Sequence, residues 1–291
     1  MVPAGLVLTA AVSVQAGAGM ANRMFGQVPP AAMTALRLWA AAVILLLSAG
    51  RETFRTVTGL VRARAWADTV TPVSFGIFLG LMNFSIYQAF SRIPMGIAVT
   101  VEFLGPLAVA VAGARRHLAG VGWAALAGGG VLLLTRGSGG HLNLAGLAFA
   151  AASAAGWAGY IVASRASGLR LPGSSGLVIA MCVAALGVTG PGLAAGGTAM
   201  ARPAVLASGV AIGLLSSVVP YWLEFQALRR VTARVFGVWM SLQPAVAALI
   251  GLILLGQRLA AAEWAGICCV AVASGGAARA VPPEGNEGVI T

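Results

Sequence analysis

Apolar runs of about twenty residues follow one another along nearly the whole chain, separated by short links rich in Arg, Pro or Gly. A helix of that length crosses the ~30 Å hydrocarbon core of a bilayer. In lipid the backbone must satisfy its own hydrogen bonds, so such runs read as helices. Ten spans are expected, at 4–22, 31–49, 71–90, 94–113, 118–135, 143–164, 174–195, 204–228, 234–255 and 260–278. Only 9% of the 291 residues are charged, against about 25% in soluble domains. Too few charges are present to cover the surface of a soluble protein of this size. The expected fold class is therefore an all-α integral membrane protein with ten transmembrane helices and lipid as its surroundings.

The 18 basic residues are all Arg and exceed the seven acidic ones, for a net charge of +11. They stand singly or in pairs between apolar runs, not in the clustered stripe that binds nucleic acid. With the N-terminus placed inside, twelve Arg fall in inner segments and five in outer ones, with Arg37 left within the second span. By the positive-inside rule both termini then lie in the cytoplasm. Cys182, Cys268 and Cys269 match no zinc spacing. His117 and His141 fall in separate loops, and the chain has no Walker A, HExxH or GxSxG pattern. Neither an enzyme nor a cofactor is expected.

The chain resembles itself at an offset of 138 residues. Tyr87-Gln-Ala-Phe-Ser-Arg92 matches Phe225-Gln-Ala-Leu-Arg-Arg230, and Pro106 falls on Pro244. This divides it into a first five-helix repeat at 1–137, a second at 138–280 and a disordered cytoplasmic tail at 281–291. Five is odd, so the second repeat enters the membrane from the opposite side. Two five-helix inverted repeats are an arrangement found in many secondary transporters.

Charged groups within spans are costly and mark function. Arg37, Glu102 and Glu224 are such groups. Pro106 follows Glu102 by four residues and frees its carbonyl, since proline has no N–H. Acid and carbonyl together suit a proton or an ammonium group; the alternative is a structural ion pair with Arg37. Pro220 and Pro244 free the carbonyls of Ser216 and Met240 in the same way. Helical spacing groups Ser217, Tyr221 and Glu224 on span eight, and Asn83 with Tyr87 on span three. It also groups Gln15 with Asn22 on span one, Trp157 with Tyr160 on span six, and Trp239 with Gln243 on span nine. These are the candidate binding or coupling residues.

Several stretches resemble the EamA branch of the drug/metabolite transporters, and within it the threonine/homoserine exporters. They are Thr34-Ala-Leu-Arg-Leu38, Asn83-Phe-Ser-Ile-Tyr87 and Ile93-Pro-Met-Gly-Ile-Ala-Val-Thr-Val-Glu-Phe-Leu-Gly-Pro106. The second half adds Gly156-Trp-Ala-Gly-Tyr-Ile161, Leu215-Ser-Ser-Val-Val-Pro-Tyr-Trp-Leu-Glu224 and Phe236-Gly-Val-Trp-Met-Ser-Leu-Gln-Pro244. The resemblance implies alternating access and proton-coupled export of small neutral amino acids, with protons and a small-molecule substrate as partners. Another metabolite, a nucleobase or a drug-like cation is the alternative cargo, and a non-transporting scaffold a further reading. In that pattern glutamate stands where this chain has Gln243 and Gln257, so coupling would fall to Glu102 or Glu224, or be absent.

Overall fold

The computed structural model describes residues 3–62, 66–113, 117–137, 143–228, 230–231 and 233–280. Every regular element among them is helical. The first three are α1 (Pro3–Met24), α2 (Pro30–Arg62) and α3 (Trp66–Phe90). The fourth expected span is two pieces, α4 (Met95–Glu102) and α5 (Leu104–Ala112). Then come α6 (His117–Gly137), α7 (Leu144–Gly168) and α8 (Ser175–Gly196), the last followed by a 3₁₀ turn at Gly197–Ala201. The eighth expected span is α9 (Pro203–Gly213), a π turn at Leu214–Val218 and α10 (Val219–Leu228). The ninth is α11 (Ala233–Met240) and α12 (Gln243–Leu255), and α13 (Ala261–Ala280) closes the bundle. The expected tail, 281–291, lies outside the described residues.

Among the described residues, eight helical stretches are long and apolar enough to cross a membrane. Gly120–Arg136 and Pro203–Val218 are apolar but shorter. The outside of the bundle carries large exposed apolar side chains such as Leu47, Leu132, Leu186, Ile253 and Val272. That surface suits lipid and would be a liability in water.

Small residues let the helices meet closely. A Cβ on Gly156 of α7 would lie 2.8 Å from the Met82 backbone nitrogen of α3, and one on Gly76 of α3 would lie 2.6 Å from the Ala180 carbonyl of α8. Gly130 of α6 and Gly266 of α13 face each other's backbone. Such approaches explain why glycine is abundant within spans, where it otherwise weakens a helix. Local signals set the ends. Asn143 accepts a hydrogen bond from the Gly146 N–H at 3.0 Å and so caps α7. Gly256 ends α12 at φ +67°, a conformation glycine adopts without a Cβ penalty.

The two interrupted helices break just before a proline. Phe103 (ψ −12°) separates α4 from α5 ahead of Pro106. Ser241 and Leu242 (ψ −10°) separate α11 from α12 ahead of Pro244. The third proline has a different outcome. Ahead of Pro220 the helix widens into the π turn, in which the Val219 N–H bonds to the Leu214 carbonyl. The next such bond would need an N–H on Pro220. Instead the Leu215 carbonyl accepts from Ser13 Oγ of α1 at 2.7 Å. A π turn at such a place is often functional.

Candidate functional site

Four polar side chains gather at one level of the bundle. Helices α2, α4 and α7 begin on the face where α1 and α3 end, as short links from Met24 to Pro30 and from Phe90 to Met95 require. Arg37, Glu102 and Ser153 are seven to nine residues into their helices, about 10–14 Å below that face. Tyr87 is three residues before the end of α3 and reaches toward them.

All four are buried: Arg37 is 7% exposed, Glu102 8%, Tyr87 1% and Ser153 0%. Arg37 Nη1 donates to the Tyr87 hydroxyl at 3.0 Å. The guanidinium carbon also lies 4.8 Å from the centre of the Tyr87 ring, a cation–π distance. Phe25 and Phe90 pack on that ring at centroid distances of 5.8 and 5.9 Å and hold it in place. Glu102 Oε1 accepts from Ser153 Oγ at 2.6 Å. Phe103, the residue at the helix break, meets Trp157 edge-on at 4.8 Å.

The expected alternative of an ion pair between Arg37 and Glu102 is not what these geometries give. Each has its own neutral partner, although the two charges act on each other through space. Arg37 Nε is buried with no hydrogen-bond partner. A buried, unpaired guanidinium N–H is costly unless something else supplies an acceptor. The site therefore presents a free donor and a carboxylate at the same depth.

The remaining candidates distribute as follows. Asn83 is buried, and its side chain bonds to its own helix at the Leu79 carbonyl, 2.8 Å away. Gln15 and Gln243 meet between α1 and α12, with Gln15 Nε2 donating to Gln243 Oε1 at 3.5 Å; Gln15 Oε1 is left without a partner. Asn22 donates to the Phe90 carbonyl at 3.0 Å and ties the ends of α1 and α3. Ser217 is buried in the π turn. Glu224 is half-buried on α10. The side chain of Tyr221 lies outside the described ones. Tyr160 packs edge-on to Phe75 at 5.1 Å, in a cluster apart from Trp157. Trp239 lines a cleft of about 390 Å³ with Val235, Val238 and Arg279, next to the start of α1.

Two contributors carried no clear signal in the sequence. Ser153 is one serine in an Ala-Ala-Ser-Ala-Ala-Gly run, and helical serine ordinarily bonds its own preceding turn. Ser13 is equally anonymous. Gln257, singled out above only as a departure from a pattern, holds the first amide of α4: its Oε1 accepts from the Met95 N–H at 2.9 Å.

Comparison with known proteins assigns the chain. The profile of the EamA-like transporter family matches residues 144–277. The threonine/homoserine exporter RhtA of Escherichia coli (strain K12) is 35% identical over 285 residues, covering 97% of this chain and 93% of the relative. RhtA of Salmonella typhimurium (strain LT2) is 34% identical with the same coverage. The chain belongs to the EamA-like transporter family. A solved structure described only as "Crystal structure of protein" superposes with a TM-score of 0.59 at 18% identity, covering 94% of this chain and 96% of that one. That likeness concerns the fold alone. As an EamA-like transporter the chain is a multi-pass membrane protein, and its buried polar cluster belongs to a protein that moves solutes.

Proposed function

We propose that this chain is a secondary exporter of small neutral amino acids, threonine or homoserine in kind, driven by the proton gradient across a bacterial inner membrane. One observation carries the reading: Arg37 and Glu102 are buried at one depth, and neither neutralises the other directly. Each charge near the bilayer centre costs about 3 kcal/mol. A zwitterion offsets both costs at once, with its carboxylate on the Arg37 Nε–H and its ammonium on Glu102. The cargo of the RhtA relatives has that chemistry. In the absence of cargo, a proton on Glu102 removes the second charge, so substrate ammonium and proton compete for one carboxylate. That competition is the physical basis of exchange coupling.

Two features support ten spans built as inverted repeats. The helix breaks ahead of Pro106 and Pro244 stand in corresponding helices, 138 residues apart. The packing is also self-matching: α2 lies on α8, α4 on α12 and α6 on α13, and α3 lies on α7 as α1 lies on α10. In this reading the shorter helices at Gly120–Arg136 and Pro203–Val218 also cross, and the repeats rock to open one side at a time. The Arg distribution supports both termini in the cytoplasm. Gln257 serves the α4 terminus, so its lack of charge does not remove a coupling acid from the centre. Glu224 is the second acid available for protons.

The test is flux of labelled threonine in proteoliposomes with an imposed proton gradient, for wild type and Glu102→Gln. Gradient-driven movement in wild type and its loss in the variant are expected. Movement of another metabolite but no amino acid would overturn the substrate. Full gradient-driven movement in Glu102→Gln would overturn the site.

A further inference from the structure

Ser153 has one hydroxyl hydrogen and two acceptors within reach. Its Oγ lies 2.6 Å from Glu102 Oε1 on α4 and 2.9 Å from the Met82 carbonyl oxygen on α3. A hydroxyl donates once and accepts through two lone pairs. Thr34 and Thr100 direct their hydroxyls to the carbonyl one turn back in their own helix, the usual habit. Ser153 directs its own across two interfaces.

The protonation of Glu102 decides which acceptor receives that hydrogen. The ionised carboxylate has no donor, so Ser153 donates to it and the Met82 carbonyl forgoes the bond. The protonated carboxyl has an O–H, which donates to Ser153 Oγ and turns the serine hydrogen to Met82. A proton arriving on α4 thus makes a bond between α7 and α3, and its departure breaks that bond. We propose that Ser153 is a positioning residue that couples the protonation of Glu102 to the contact between α3 and α7.

The contact leaves little slack. Gly156 and Gly159, the next glycines on α7, bring it against the backbone of Met82 and the ring of Phe78. Met82 is next to Asn83 and five residues before Tyr87, which holds Arg37. The relay therefore runs from the acid, through Ser153, to the helix that positions the guanidinium. Of the charged groups around Glu102, Arg37 of α2 acts on it through space, and that guanidinium is bonded to the Tyr87 hydroxyl of α3. On α12, Gln243 is neutral, and on α13, Glu263 accepts from the Ala260 N–H of its own helix start. On α7, Arg165 is twelve residues beyond Ser153, about 18 Å along the helix axis.

The inference rests on Glu102 as the transport acid, and the test separates the two. Threonine counterflow would be measured at equal pH on both sides, across a pH series, in wild type, Ser153→Ala, Ser153→Cys and Glu102→Gln. Wild-type rates should vary with pH and Glu102→Gln should be flat. Ser153→Ala should lose most of the variation, about tenfold in amplitude for the loss of one hydrogen bond to a charged group. Ser153→Cys, with a weak donor, should recover part of it. A merely structural serine would lower the rate equally at all pH values. Wild-type amplitude in Ser153→Ala beside a flat Glu102→Gln overturns the relay and keeps the acid. Wild-type amplitude in Glu102→Gln overturns the underlying reading. Infrared spectra of the purified protein in lipid give a readout without transport. The protonated carboxyl band lost in Glu102→Gln should move in Ser153→Ala, and an unmoved band overturns the relay.

Discussion

Replacing Gly105 by alanine tests whether the site depends on how closely α5 approaches α7. A Cβ at Gly105 would drive into the carbonyl oxygen of Ala154 and lie 2.9 Å from its carbonyl carbon. Carbon atoms in ordinary contact stand about 3.5–4.0 Å apart. Both obstacles are backbone, so no side chain can swing away, and the helices must part by about 1 Å. Ala154 follows Ser153 directly. A separation of that size takes the 2.6 Å bond between Ser153 and Glu102 to about 3.6 Å, where it no longer counts as a hydrogen bond. Overpacking costs about 1–3 kcal/mol, and losing a bond to a charged group about 1.5–3 kcal/mol. The sum, about 3 kcal/mol or more, corresponds to a fall in Tm on the order of 5–10 °C. Thermal unfolding of purified protein measures it, with Gly128→Ala as the control. Gly128 has open space around its Cβ position, so that change should be neutral or stabilising by up to about 1 kcal/mol. A Gly105→Ala protein with the Tm of the control and wild-type threonine counterflow would refute the claim that this close approach holds the acid in place.

Two further outcomes are expected. Tyr87→Phe keeps the ring beneath Arg37 and removes only the 3.0 Å hydrogen bond; threonine counterflow should fall about tenfold while the unfolding temperature changes little, and an unchanged rate would separate Arg37 from substrate handling. Gln257→Ala should cost about 1 kcal/mol by freeing the Met95 N–H, whereas Gln257→Glu should equal or exceed wild type because a carboxylate suits a helix N-terminus; thermal unfolding distinguishes them, and a Gln257→Glu protein less stable than Gln257→Ala would show that the amide, and not a cap, is what this position needs.

Much of the helical plan is legible without coordinates, because lipid makes local sequence decisive. A span must be apolar along its length and satisfy its own backbone, so the expected spans fall largely on helical residues, and eight helical stretches among the described residues are long and apolar enough to cross. Two prolines also mark where helices break, since a missing N–H is a local property: Pro106 and Pro244 each follow an interruption by two or three residues, whereas Pro72 and Pro191 lie inside continuous helices. Pro220 was less legible. Whether its helix bends, breaks or widens depends on a partner for the freed carbonyls, and Ser13 of α1 is 202 residues away from the carbonyl it serves.

The cost of burying charge made Arg37, Glu102 and Glu224 visible as residues of interest from sequence alone. Helical spacing could place each of them on a face, but it could not say which faces meet. Only tertiary structure brought Arg37 to Tyr87, 50 residues apart, and Glu102 to Ser153, 51 apart. It also parted Trp157 from Tyr160, adjacent in helical spacing but packed on Phe103 and Phe75 in separate clusters. The physical reason is that apolar periodicity is nearly absent in a helix surrounded by lipid on one side and by equally apolar helices on the other. Rotation about the helix axis is then set by where glycines permit backbone contact, as at Gly105, Gly130 and Gly156, and that is a property of pairs of helices.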